Sequence, residues 1–150
     1  MSDNQIDKTT DTVMLVVFAA GNSLMAFDAR SVGEVLRLPP IRKAHGAAPY
    51  VMGVANLRGR IITVLDLEKK LGLPASEVVE PRLLVIEDQG GEAIGVYVPE
   101  LKDVIQAETT ELQGITTDIR GADPDLFIGI LRRDDTLVAL LDPQRALAVS

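Results

Sequence analysis

Apolar runs of four to eight residues, separated by glycine, asparagine, proline and charged clusters, repeat along this chain at the spacing of short β-strands. Val13 to Ala20 is continuously apolar, Gly21-Asn22 is a two-residue turn signal, and Leu24 to Phe27 resumes the apolar character, which predicts a hairpin. A third strand is predicted over Val32 to Leu38. Strict alternation there sets Val32, Leu36 and Leu38 on one side, with Glu34 among them, and Gly33, Val35 and Arg37 on the other. Pro39 to Pro49, with three prolines and little periodicity, reads as a loop. Two further apolar runs, Val51 to Leu57 and Ile61 to Leu67, flank Arg58, Gly59 and Arg60 and read as a second hairpin pivoting on Gly59, which can take the positive φ of a tight connection. Asp66 is placed to cap a short helix, Leu67 to Leu71, that Gly72 and Pro74 stop.

The second half has the same grammar. Leu83 to Ile86, a polar turn Glu87 to Glu92 and Ile94 to Val98 predict a hairpin; Leu101 to Ile105 adds a strand; residues 107 to 125 are polar and turn-rich. Leu126 to Leu131 and Leu137 to Leu141 make a last hairpin before Asp142-Pro143 opens a helical segment. Residues 15 to 36 align on 84 to 105 without a gap, and residues 51 to 71 align on 127 to 147, matching Gly21 with Gly90, Gly53 with Gly129 and Asp66 with Asp142. Five short strands per half suit two small barrels, since closure removes exposed edges. The expected division is a tail over 1–11, then one domain over 12–150, its first barrel mainly 13–71, its second mainly 81–142, and a helical segment over 143–150.

Composition narrows the function. The chain is 47% hydrophobic but only 3% aromatic, and its formal charge is −7, which argues against a nucleic-acid reader. Residues 30–70 carry eight basic and three acidic side chains, a surplus of +5 that leaves the remainder at −12. A basic window of this kind can meet an acidic protein surface or simply face solvent. There is no cysteine, so no disulfide, thiolate metal site or Cys nucleophile, and no apolar run approaches the length of a membrane span. The polar start, MSDNQIDKTTDT, has neither signal-peptide nor anchor character, which fits a cytoplasmic protein. The single histidine, His45, lies in the proline-flanked loop without a neighbouring carboxylate, so a Ser-His-Asp site and a zinc site lack their parts. Asp118, Asp123 and Asp125 lack the spacing of a calcium loop, and no phosphate-cradling glycine motif occurs. No enzymatic activity, metal or cofactor is expected.

The stretch GVANLRGRIITVLDL, residues 53 to 67, resembles the G-V-x-N-L-R-G-x-(I/V)-x-x-(V/I)-(I/L)-D-L signature of CheW-like coupling proteins of bacterial chemosensory arrays, and the similarity extends over roughly residues 13 to 147. The resemblance implies a mostly β fold of two loose five-stranded SH3-like barrels side by side with short helices. It also implies an adaptor without activity of its own, tying the cytoplasmic tip of a chemoreceptor to the regulatory domain of a CheA-type histidine kinase at membrane-associated arrays. By the same resemblance Val32, Glu34, Asn56, Leu57 and Arg58 are candidate receptor- or kinase-binding residues, and Gly59 is a structural turn.

The residues themselves leave alternatives. Arg58 can pair with a partner's carboxylate or hold its own hairpin. The Asn56 amide suits local backbone bonding. Glu34 either waits at an exposed rim for a partner, the favoured expectation, or pairs internally with a base such as Arg58. The Pro39 to Pro49 loop and the Lys69-Lys70 pair depart from the family pattern and bear on partner identity. Two rival functions remain: a coupler for pilus motility or another non-flagellar output, and a β domain binding a small molecule in the crevice between barrels.

Overall fold

The computed structural model describes residues 11–87, 90–115 and 119–148. Eleven strands and two short α-helices follow one another as β1 (Thr12–Ala20), β2 (Ser23–Asp28), β3 (Val32–Leu36), β4 (Val51–Leu57), β5 (Arg60–Asp66), α1 (Leu67–Leu71), β6 (Arg82–Glu87), β7 (Ala93–Val98), β8 (Glu100–Glu108), β9 (Leu112–Gln113), β10 (Phe127–Arg133), β11 (Thr136–Leu141) and α2 (Pro143–Ala146). The fold is mostly β, as expected. The third strand stops at Leu36 rather than Leu38, and the strand expected over Leu101 to Ile105 runs longer, to Glu108. Residues 1–10 and Asp118, with the expectations placed on them, lie outside the described residues. Among the described residues no helix is long and apolar enough to cross a membrane.

Local chemistry accounts for the turns and caps. Gly21 and Asn22 have φ of 63° and 60°, and Arg58 and Gly59 have φ of 53° and 86°, so both hairpins turn on two residues of positive φ, the form that matches strand twist. Asp66 caps α1 by accepting from the Lys69 N–H, and Gly72 ends it in the left-handed conformation. Asp142 caps α2 in the same way, with Pro143 in its first turn.

The strands form two sheets, one ordered β8-β1-β2-β11-β10-β9 and the other β3-β6-β7-β5-β4. The repeat is therefore real at the level of elements, but the expected division into a barrel of 13–71 and a barrel of 81–142 is corrected. Each sheet takes its first hairpin from one half and its remaining main strands from the other. The cause is in the connections. Asp28 accepts from the Arg30 N–H and opens a single 3₁₀ turn, Ala29–Ser31, that carries the chain from β2 directly across into the other sheet. A single residue, Pro99, separates β7 from β8, which lies in the opposite sheet. Proline cannot donate to a ladder, and one residue is too short for a hairpin back alongside β7.

Period-two alternation in strands buried on both faces yields three apolar clusters. Val16, Phe18, Met25 and Phe27 meet Leu65, Leu84, Ile86 and Val96 in a core between the sheets. Val13, Leu15, Val17, Leu131 and Leu140 fill the inner face of the first sheet, and Ala55, Ile62, Val64, Leu83 and Val85 that of the second. Each fully buried Leu or Phe contributes about 1.5–3 kcal/mol. The Phe18 and Phe27 rings stack at 5.6 Å between centroids. Among the described residues the named strands end at β8 and β9 in one sheet and at β3 and β4 in the other, with single bridges from Glu80 to Glu100 of β8 and from Arg42 to Val54 of β4. Side chains add further ties. Arg133 of β10 donates to the Gln106 carbonyl of β8 at 3.1 Å, and Arg58 donates to Glu34 of β3 at 2.6 Å, so each sheet curls around its own cluster.

One buried carboxylate ties the sheets together outside the apolar core. Glu68 of α1 is 7% exposed, and its Oε2 accepts from the Gly21 N–H at 2.8 Å, the Ser76 N–H at 2.9 Å and the Ser76 hydroxyl at 2.5 Å. The Ser76 hydroxyl oxygen in turn accepts from the Asn22 N–H at 2.9 Å. The β1–β2 turn of the first sheet is thereby fastened to the helix that follows the β4–β5 hairpin of the second.

Candidate functional site

The hairpin β4–β5 presents the chemistry singled out in the sequence. Asn56 faces outward opposite Ile61, and its Oδ1 accepts from the Gly59 N–H at 2.8 Å, closing the turn across three residues. Leu57, opposite Arg60, points into the second sheet's inner cluster. Arg58 sits at the tip with positive φ. One of its guanidinium nitrogens reaches both Glu34 oxygens at 2.6 Å, with the two side chains 70% and 37% exposed. Arg60 turns the other way: its Nη2 donates to the Gly91 carbonyl at 2.8 Å, and its Nη1 lies 3.5 Å from Glu87. The two arginines of the tip thus grip two places at the sheet's open end, Arg58 the edge strand β3 and Arg60 the β6–β7 turn next to it. A small cavity of about 270 Å³ lies between them, lined by Glu34, Leu57, Arg58, Arg60 and Glu87.

Glu34, Leu57 and Arg58 are therefore brought together, and Asn56 stands beside them as a turn lock. Val32 is not with them. The register of β3 against β6 shifts at Gly33, so Val32 lies opposite Ile86 while Glu34 lies opposite Val85. Directly opposed residues share a face, which sends Val32 toward the core between the sheets and Glu34 with Leu36 toward the sheet's inner face. The alternation that grouped Val32 with Glu34 is corrected by this bulge.

Gly53, in the same signature, is held by close approach. A Cβ built there would stand 2.1 Å from the Arg42 carbonyl oxygen, because Arg42 pairs with Val54 through two backbone hydrogen bonds of 2.8 Å. The loop expected over Pro39 to Pro49 is thus laid in part against the outer edge of β4. Gly129 is its counterpart, with a built Cβ 2.9 Å from the Gln113 carbonyl oxygen of β9.

A second feature corresponds to the crevice expected between barrels, though its lining residues were not read from the sequence. Between the sheets runs a groove of about 1050 Å³, with Ile86, Ile94 and Ala93 along its floor and Ile128, Pro143 and Leu147 on its far wall. Ile128 is 53% exposed. Glu87 and Ala93 line both this groove and the small cavity. On its rim Asp28 and Arg30 form an ion pair of 2.7 Å. Burial alone raises the Asp28 pKa, yet its hydrogen bonds to the Arg30 side chain and backbone hold it below the ordinary carboxylate value. Among the described residues no cluster of His, Cys, Asp and Glu is arranged to hold a metal. His45 is an exposed loop residue, and Asp123 caps a 3₁₀ turn through the Asp125 N–H.

What this geometry defines is a two-sheet β module whose exposed chemistry is a clamped hairpin tip beside a groove. A family model described as CheW-like domain matches residues 14–150. The chain belongs to the CheW-like family. It is 27% identical over 134 residues to the chemotaxis protein CheW of Bacillus subtilis, covering 89% of this chain and 85% of that one. It is 31% identical over 84 residues to protein PilI of Pseudomonas aeruginosa, covering 56% of this chain and 47% of the other. Its fold matches the crystal structure of scaffolding protein TtCheW from Thermoanaerobacter tengcongensis with a TM-score of 0.82 and 25% identity, covering 92% of this chain and 89% of that one.

Proposed function

We propose that this chain is a cytoplasmic adaptor without catalytic activity that couples methyl-accepting chemoreceptors to the regulatory domain of a CheA-type histidine kinase, and is recruited to membrane-associated arrays through them. The observation that carries this is the signature hairpin itself. Its tip is locked by Asn56 and clamped by Arg58 to Glu34 and by Arg60 to Gly91, which holds a rigid, charged surface at the end of the second sheet. Glu34, Asn56, Leu57 and Arg58 are assigned to the kinase- or receptor-binding surface there, with Val32 contributing from the groove side of β3.

The groove beside that surface carries apolar side chains from both sheets, among them Ile86, Ile94, Ile128 and Leu147, which suits one face of a helix such as the helical tip of a receptor. Its rim charges are engaged with one another, Asp28 with Arg30 and Glu87 with Arg60, so they do not converge on a polar small molecule. Capture of the cognate kinase regulatory domain and a receptor cytoplasmic fragment by the purified chain tests the proposal. Retention of both supports it, and retention of neither sinks it.

The partial similarity to PilI supports a second reading, in which the same adaptor chemistry serves a pilus-based or other non-flagellar pathway. Capture from paired chemotaxis and pilus-pathway kinases separates the two.

A further inference from the structure

Apart from Arg30, which pairs with Asp28, the basic side chains of residues 30–70 divide between two ends of the second sheet. Arg58 and Arg60 lie at the hairpin tip and are both engaged internally. The opposite end is where β3 and β5 finish and β4 begins: Leu36 pairs with Leu83, Leu83 with Tyr97, and Tyr97 with Asp66 at the start of α1. The loop from Arg37 to Tyr50 crosses this end and is fastened there by the Asp66 N–H donating to the Tyr50 carbonyl at 2.8 Å. It delivers Arg37, Arg42 and Lys43, and α1 adds Lys69, all exposed. Among the described residues none of these four side chains is in an ion pair. Lys70, beside them, lies 5.0 Å from the centre of the Tyr50 ring. Two aliphatic side chains that neighbour Arg37 in the chain are exposed, Val35 at 41% on β3 and Leu38 at 38% in the loop.

Four exposed cations outside any ion pair, with Asp66 and the buried Glu68 as the carboxylates of the adjoining helix start, are a basic surplus on a chain of net charge −7, and exposed aliphatic side chains beside such charge are the materials of a protein interface. We infer that this pole, at the far end of the sheet from the signature hairpin, is a second docking surface for an acidic protein segment carrying an aliphatic anchor. A membrane surface would need a broader apolar face with aromatic or leucine anchors, and nucleic acid would need exposed stacking rings. The pole has two exposed aliphatic side chains, and the aromatic rings at this end, Tyr50 and Tyr97, are both half-buried, Tyr50 against Lys70. The inference does not depend on the proposed coupling role, and its test uses neither receptor nor kinase.

The probe is a fluorescein-labelled peptide of glutamates with one central leucine, titrated with the full chain and read by anisotropy at low and high salt. The variant R37E/K43E/K69E is compared with K102E/R132E/R145E, which changes net charge equally away from the pole. The pole variant is expected to weaken binding at least about tenfold at low salt and the control by less than about twofold, with the gap narrowing at high salt. If R37E/K43E/K69E fails to fold, judged by its thermal transition, R37Q/K43Q/K69Q is expected to give a loss in the same direction. Equal losses in pole and control variants, or no peptide binding by the parent chain, overturn the proposal. So does tighter binding to phosphatidylserine vesicles or to duplex DNA than to the peptide.

Discussion

Glu34 and Arg58 offer a sharp separation of folding from binding, because their pair is short yet lies in water. The perturbation is a double-mutant cycle of Glu34→Ala, Arg58→Ala and the double variant. Arg58 has positive φ, but alanine also carries a Cβ, so the backbone strain is common to both states and drops out of the comparison. The contact is good, 2.6 Å to both oxygens, while exposures of 70% and 37% leave it screened by solvent. Exposed pairs contribute about 0.2–1 kcal/mol, and this geometry belongs near the upper end, so the expected coupling energy is about 0.5–1 kcal/mol. For a chain of this size that corresponds to at most about 4 °C in the thermal midpoint. Calorimetric or circular-dichroism melts of the four proteins measure the coupling, and titration of each against the kinase regulatory domain measures binding. Glu34→Ala is expected to weaken capture by more than its small loss of stability accounts for, and the loss of affinity shrinks as salt rises. Full binding with reduced stability would refute the assignment of Glu34 to the interface.

Other outcomes follow from the same contacts. Gly53→Ala sets a Cβ against the Arg42 carbonyl oxygen and should lower stability by about 1–3 kcal/mol; an unchanged melting temperature contradicts that close approach. Gly59→Val, at φ of 86°, should cost about 1–3 kcal/mol by backbone strain, read in the same melts. Glu68→Ala strands the Gly21 and Ser76 donors and should cost about 2–4 kcal/mol in urea unfolding, with Glu68→Gln intermediate; equal values for the two variants would show that the carboxylate is not holding the turn. Acid titration has a defined sign. The Glu108 N–H, then Arg133, hold the Glu111 pKa below its ordinary value, and Asp28 is likewise depressed. Both contributions are therefore complete above about pH 5 and fade as pH falls through the lowered values, and Arg133→Gln should flatten that acid limb.

The parts of this fold legible in the sequence are those governed by local chemistry. The turns at Gly21-Asn22 and Arg58-Gly59, the Asp66 and Asp142 caps and the element order of the two halves all follow from residue type and period. The exchange of hairpins between sheets was not legible, since apolar alternation states that a strand is buried and not which sheet receives it. The decisive signals were the shortest ones, the Asp28-capped 3₁₀ turn and Pro99. The bulge at Gly33 separated Val32 from Glu34 for a related reason: one unpaired residue inverts every later side chain. Of the site, the Asn56 lock and the presence of Arg58 at the tip were readable. Arg60 to Gly91, Glu68 to Gly21 and the groove join residues 31, 47 and more positions apart, and nothing local marks them.

The central claim, that this chain couples receptor to kinase, is tested most directly by receptor-controlled kinase autophosphorylation in reconstituted membranes holding the cognate receptor and CheA-type kinase. Adding the purified chain should raise phosphorylation and bring it under receptor control, while the chain alone turns over nothing. Kinase activity that stays the same with and without the chain, across cognate receptor and kinase combinations, would contradict the account.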